Sequence, residues 1–478
     1  MREALRRLGG ESLVYGLGAV GGRAVQLLLV PVLTRALRPD VFGVGELVVA
    51  YAQTALLVLV FGMDGALARF FHYEPDREAR VRMASTSFAF RVVSGLAAAA
   101  ALAAFAGPLA GALVGGEAYA KYLRIGAATL PATLVVLYAN DVLRVTFQPW
   151  KFILLNLVQT ALVGGLSILF VVGMGQGVAG MLYGRLGGDA ASAVLGLALV
   201  RRYVRPHFDR ATLARMLHYG APTVPAAFAF GAIGAMDRFF LQRARSLEEV
   251  GVYAVAVKFF AVASMGVSAF AMAYGPFAFA RAADPQAPRL FARVFGAYVA
   301  AGSLGALALG LFAPEALAVL VPEAYRAAAG PATALAFAAV ALGAYTAASV
   351  GVGIALRTPL LVWCAAAAAA ASLVANAALV PRFGAAGAAA ATLAGYVVAA
   401  VATYAVAQRV HPLPYRGARM AALFAVALAL ALAVGRVAPA GAAGAGLKLA
   451  AVASFAALCA GSGIWRERGA VAPPSPPA

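Results

Sequence analysis

Apolar runs of roughly twenty residues, separated by short polar connections, recur along the whole chain. At about 1.5 Å rise per residue, a helix of that length crosses a hydrocarbon core of roughly 30 Å. Inside lipid every backbone N–H and C=O must find a partner within the protein, which leaves helices or closed barrels. A barrel would read as alternating segments of about ten residues, and these runs do not alternate. Composition agrees: 63% of residues are apolar and 12% are charged, against about a quarter charged in soluble domains. The sequence therefore predicts an all-α polytopic membrane protein with about fourteen transmembrane helices. They are expected near residues 12–34, 42–67, 84–113, 120–143, 152–174, 178–200, 216–242, 250–280, 292–313, 329–352, 359–380, 384–408, 419–436 and 443–465. The proline-rich residues 467–478 are expected to be disordered.

The first run, Ser12–Leu37, carries Arg23 at its middle, with Gly18 and Gly22 spaced for close helix approach and Pro31 beyond. A cation at that depth costs on the order of 2.5–3.5 kcal/mol on insertion scales, so it should face protein or water. The basic N-terminus (Arg2, Arg6, Arg7) lacks a small-residue cleavage site at signal-peptide distance, so the run is expected to be retained. Lys and Arg in the connections favour one side by roughly two to one. That bias places both termini in the cytoplasm and requires an even number of spans.

The net charge is +19, yet the basic residues are spread over short loops, which argues against a nucleic-acid partner. Cys364 and Cys459 lie in apolar runs and read as small core residues. There is no phosphate-loop motif, no HExxH and no Cys/His cluster, so neither a cofactor nor a metal is expected and the chain does not read as an enzyme. His72, His207, His218 and His411 all fall near the predicted cytoplasmic side, away from mid-membrane proton transfer.

The second half echoes the first. Glu117-Ala118-Tyr119 matches Glu323-Ala324-Tyr325, and Gly177-Val-Ala-Gly180 matches Gly384-Ala-Ala-Gly387. Thr34-Arg35 pairs with Asp237-Arg238, and Gly43-Val44 with Gly251-Val252, all at nearly one separation. Two six-helix lobes follow, residues 1–205 and 206–412, related by an axis along the membrane normal. Residues 413–466 add two helices outside the repeat.

The glycine-rich first run, LTRALRPDVFGVGEL after it, GVYAVAVKF in the eighth run, the EAY motifs and RFGAAGAAAATLAGY in the twelfth resemble one family. It is the polysaccharide (O-antigen and exopolysaccharide) flippase family of the multidrug/oligosaccharidyl-lipid/polysaccharide exporter superfamily. The resemblance implies two bundles in a V around a central cavity. It also implies a monomer in the bacterial inner membrane that moves undecaprenyl-diphosphate-linked oligosaccharide. Membrane lipids, a polysaccharide polymerase and a chain-length regulator are the partners that would go with it. The peptidoglycan lipid II flippase is a sister family, but its longer arginine-rich first-helix signature is absent here.

Four cations fall deep inside the predicted spans, away from their ends: Arg23, Arg91, Arg185 and Lys258. They are the candidates for holding a diphosphate, with Arg suited to bidentate contact and Lys to a point charge. Arg185 stands four residues before Asp189 on one helical face, where the two can neutralise each other. Arg91 could instead snorkel to the cytoplasmic surface. Arg23 and Lys258 have no partner on their own helices. Glu46 is a candidate counter-ion or ion-coupling group, as is Asp189. A drug/cation antiporter, the main competing reading, would want an acidic, aromatic cavity, and the central charges here are basic. A membrane enzyme acting on the same lipids lacks catalytic candidates.

Overall fold

A computed structural model describes residues 29–281, 284–439 and 441–463. Among them there are helices and no strands. After the helical residues 29–36 (α1) come α2 (Pro39–Leu59), α3 (Met63–Tyr73), α4 (Arg77–Ala104), α5 (Ala106–Leu113) and α6 (Ala120–Val145). Next are α7 (Pro149–Ile168), α8 (Gly177–Val200), α9 (Arg210–Gly220), α10 (Val224–Ala244), α11 (Leu247–Ala280) and α12 (Ala287–Leu311). The chain closes with α13 (Ala313–Leu320), α14 (Ala329–Ile354), α15 (Pro359–Val410), α16 (Gly417–Val437) and α17 (Ala442–Gly461).

Among the described residues ten helical segments are long and apolar enough to span a membrane, or eleven if the bent pair Arg210–Thr223 and Ala227–Ala244 is one span. The expected fourteen is not reached, for physical reasons. Most of the first expected span lies outside the described residues. The helix α8 is diluted by Arg185, Asp189 and its glycines. The expected spans at 359–380 and 384–408 run together as the 52-residue α15, broken at Gly384, where φ is 55° and ψ −131°.

That break has a counterpart. Gly177, which opens α8, sits at φ 56°, nearly the value at Gly384. Both positions lie in the left-handed region, where a side chain is strained. Three residues on, Gly180 packs against the Phe170 carbonyl and Gly387 against the Leu379 carbonyl. The sequence match between these glycines is thus a backbone match as well. Outside the spans, Asp76 caps α4 through Glu78 N at 3.1 Å and Ala79 N at 3.0 Å. These backbone bonds hold its carboxyl below the ordinary range.

Burial follows the apolar faces. One core joins α3, α4, α6, α7 and α8 with Met216 of α9, around Tyr138, Leu143 and Leu155. Others lie within the later helices: Tyr274, Phe291 and Phe295 with Val350, and Leu307 and Phe337 with Phe455 of α17. A further core draws on both parts of the chain, joining Phe42, Val44 and Leu47 to Val250, Tyr253 and Tyr325.

Candidate functional site

That shared core is organised by a crossing of α2 and α11. A Cβ added at Gly43 would lie 2.8 Å from Gly251 N and would run into the Leu247 carbonyl; one added at Gly251 would run into the Pro39 carbonyl. The contacts are reciprocal, because the step in sequence from Pro39 to Leu247 is the step from Gly43 to Gly251. Two helices approach this closely only where both present glycine. The same end is tied by Tyr325 OH, which donates to the Leu37 carbonyl at 2.8 Å, and by Arg35 Nη2, which donates to the Val319 carbonyl at 3.2 Å.

One turn beyond Gly43, the Lys258 ammonium donates to Glu46 Oε1 at 2.8 Å. The Lys258 side chain is 28% exposed and that of Glu46 10%. Lys258 therefore lacks a partner only on its own helix; its partner comes from the other part of the chain. Met181 of α8 packs where Gly45 has no side chain, and Arg185 follows one turn later.

Arg185 Nε lies 3.6 Å from Asp189 Oδ2, the pair expected from their spacing. Asp189 also accepts from Thr133 Oγ1 and Gln159 Nε2, both at 2.8 Å, so α6, α7 and α8 meet on one carboxylate. Arg91 does not snorkel. Its side chain is fully buried, and Nη2 donates to Asp141 Oδ2 at 2.6 Å. Asp141 accepts from Arg144 as well. The cause is packing: α4 lies against α6, which turns Arg91 toward α6 rather than along its own helix to the surface. Arg23 lies outside the described residues.

The sequence reading missed two further groups. Asp237 accepts from the Tyr253 hydroxyl, from Thr392 Oγ1 at 3.3 Å and from the Arg238 backbone N–H at 2.7 Å, joining α10, α11 and α15. Lys448, near the start of the last expected span, is 1% exposed inside α17 and pairs with Glu315 of α13. A Tyr or Thr sixteen or more residues away gives no spacing signal; Lys448 was hidden by an Ala-rich helix start. Among the described residues no cluster of His, Cys, Asp and Glu could hold a metal ion. The arrangement is a set of buried and partly exposed ion pairs, one of which joins α2 to α11.

Residues 8–282 match the family described as "Polysaccharide biosynthesis protein". No curated protein matches the sequence. Among solved structures, the chain resembles the lipid II flippase MurJ in an inward closed conformation, with a TM-score of 0.75 at 11% identity over 95% of this chain and 98% of that one. It also resembles an inward-facing multidrug resistance MATE family transporter of the MOP superfamily, with a TM-score of 0.60 at 17% identity over 84% and 95%. A third likeness is to a MOP superfamily transporter from Pyrococcus furiosus whose binding pocket has reversed polarity, with a TM-score of 0.53 at 15% identity over 84% and 95%. At these identities the likenesses establish the fold.

Proposed function

The chain belongs to the polysaccharide biosynthesis protein family, and from that premise we propose that it is an inner-membrane flippase for undecaprenyl-diphosphate-linked oligosaccharide. The observation that carries the reading is the family match on a multi-pass chain that has the fold of membrane transporters. In this reading residues 1–205 and 206–412 are lobes that rock about a central cavity, residues 413–466 an appended helix pair. With both termini cytoplasmic, the Gly43–Gly251 end faces outward. Arg23, Lys258 and Arg185 are the residues that would meet the diphosphate. Arg91 is better placed to hold α4 on α6, given its complete burial against Asp141. Glu46 and Asp189 are the acidic groups available for coupling.

The driving force needs no nucleotide. An inside-negative potential of 100 mV contributes about 2.3 kcal/mol for each negative charge moved outward. The test is flipping of labelled lipid-linked oligosaccharide in proteoliposomes with imposed potassium-diffusion potentials, alongside lipid II. Oligosaccharide flipping that rises with potential is expected. Preference for lipid II would move the chain to the sister function, and extrusion of organic cations to an antiporter. A requirement for ATP would overturn the mechanism.

A further inference from the structure

The ion pair at the crossing has a property that the other pairs lack. Arg91–Asp141 lies within α4 and α6, and Arg185–Asp189 within α8. Lys258–Glu46 links α11 to α2 directly beside the glycines whose reciprocal contacts close that end. Its lysine is also the more exposed partner, and Arg185 lies on α8 one turn beyond Met181, the side chain that packs against Gly45 of α2. An anion that engages Lys258 competes with Glu46 for the same ammonium, and loss of Glu46 from it removes the charge contact that ties the two helices together.

We propose that the Glu46 carboxylate is a tethered stand-in for the substrate's anion: it holds Lys258 and latches the α2–α11 crossing, and a diphosphate headgroup binds by displacing it. The proposal rests on the diphosphate-lipid reading for the identity of the ligand, and it deepens that reading by naming what the ligand competes with. A carboxylate and a phosphate oxygen make the same charge-assisted bond to an ammonium, so one can substitute for the other. The second phosphate would find Arg185, whose side chain is 24% exposed and makes only a 3.6 Å contact with Asp189. The latch opens only when a dianion is present, which ties release of the closed end to the charge of the cargo.

The test uses purified full-length protein in detergent, with Cys364 and Cys459 replaced by alanine. Inorganic pyrophosphate binding is followed by calorimetry. Closure is followed by bis-maleimide cross-linking of Arg35→Cys with Val319→Cys, positions joined in the closed end. Glu46→Gln should bind pyrophosphate about tenfold more tightly than the parent, the scale of a removed charge competitor, and should cross-link less without ligand. Lys258→Ala should lose pyrophosphate binding. Added pyrophosphate should lower cross-linking in the parent and leave Lys258→Ala unchanged. Glu46→Asp keeps the charge on a shorter arm and should fall between parent and Glu46→Gln, which guards against a variant that simply misfolds. Equal or weaker pyrophosphate binding by Glu46→Gln, or cross-linking indifferent to pyrophosphate in the parent, would overturn the proposal. Restoration of surface polysaccharide in a host lacking its flippase tests the carrier reading separately. Failure there with the pyrophosphate competition intact would remove the lipid substrate and leave the competition standing.

Discussion

Two ion pairs in this molecule share a chemistry and differ in placement. Arg91–Asp141 is sealed between α4 and α6, with side-chain exposures of 0% and 7%. Glu46–Lys258 bridges α2 and α11 with exposures of 10% and 28%. The sealed pair has no solvent to take over if one partner leaves, so desolvation makes it nearly permanent. The bridging pair is open to exchange on its lysine side and connects elements that are far apart in sequence. The difference separates a charge that fixes a helix bundle from a charge that can change partners. Substitutions that spare one pair and break the other measure how real that division is.

The largest effect is expected at the sealed pair. Asp141→Ala leaves the Arg91 guanidinium buried without its carboxylate, and loss of one partner of such a pair costs about 3–5 kcal/mol. The protein should unfold at markedly lower temperature in detergent, whatever ligand is present. Arg91→Met with Asp141→Leu should recover most of the loss, because the desolvation penalty goes with the charges. An Asp141→Ala protein as stable as the parent would place Arg91 in a wetter site than its burial indicates.

The next effect falls on the glycine crossing. In Gly251→Ala the new methyl meets the Pro39 carbonyl, a backbone atom with nowhere to rotate. Overpacking of this kind costs about 1–3 kcal/mol. Here part of it should be relieved by parting α2 from α11. Lower cross-linking between cysteines at positions 35 and 319, with a smaller fall in melting temperature than for Asp141→Ala, is the expected result. Unchanged cross-linking would mean that the crossing yields internally and that the closed end does not depend on it.

Which of these features the sequence could announce depended on distance along the chain. Arg185 and Asp189 are four residues apart on one helix, so helical geometry alone makes them neighbours. Gly177 and Gly384 were matched as a repeat because a left-handed backbone position leaves glycine as its trace in sequence. The pairs that distinguish the two regions left no such trace. Asp141 lies 50 residues from Arg91, and Lys258 lies 212 from Glu46. Nothing in either local segment says which helix will be opposite. The same reason concealed the Asp237 cluster, whose ligands come from three helices. The all-α membrane architecture was legible because the bilayer imposes its thickness on every span separately. The partner of each buried charge was not, because it is set by how helices pack, and that is decided by the whole chain.

The smallest stability effect is expected at Arg185, and it sharpens the comparison most. Asp189 is 1% exposed, as sealed as Asp141, but it accepts from Thr133 and Gln159 at 2.8 Å in addition to its long contact with Arg185. Arg185→Ala therefore leaves a carboxylate that is still hydrogen-bonded by two donors. The carboxylate keeps those two bonds and the departing cation is 24% exposed, so the change in unfolding free energy should be only about 1 kcal/mol. The functional effect should be larger than the structural one, because Arg185 is the cation proposed to meet the second phosphate. If Arg185 belongs with Lys258 as a charge that exchanges partners, Arg185→Ala should weaken pyrophosphate binding while melting normally, and Arg185→Lys should restore part of the binding through its point charge. If it belongs with Arg91, the two readouts will fall together: binding lost only as far as the fold is lost, and no rescue by lysine. A calorimetric titration and a melting curve on the same three proteins decide between these outcomes.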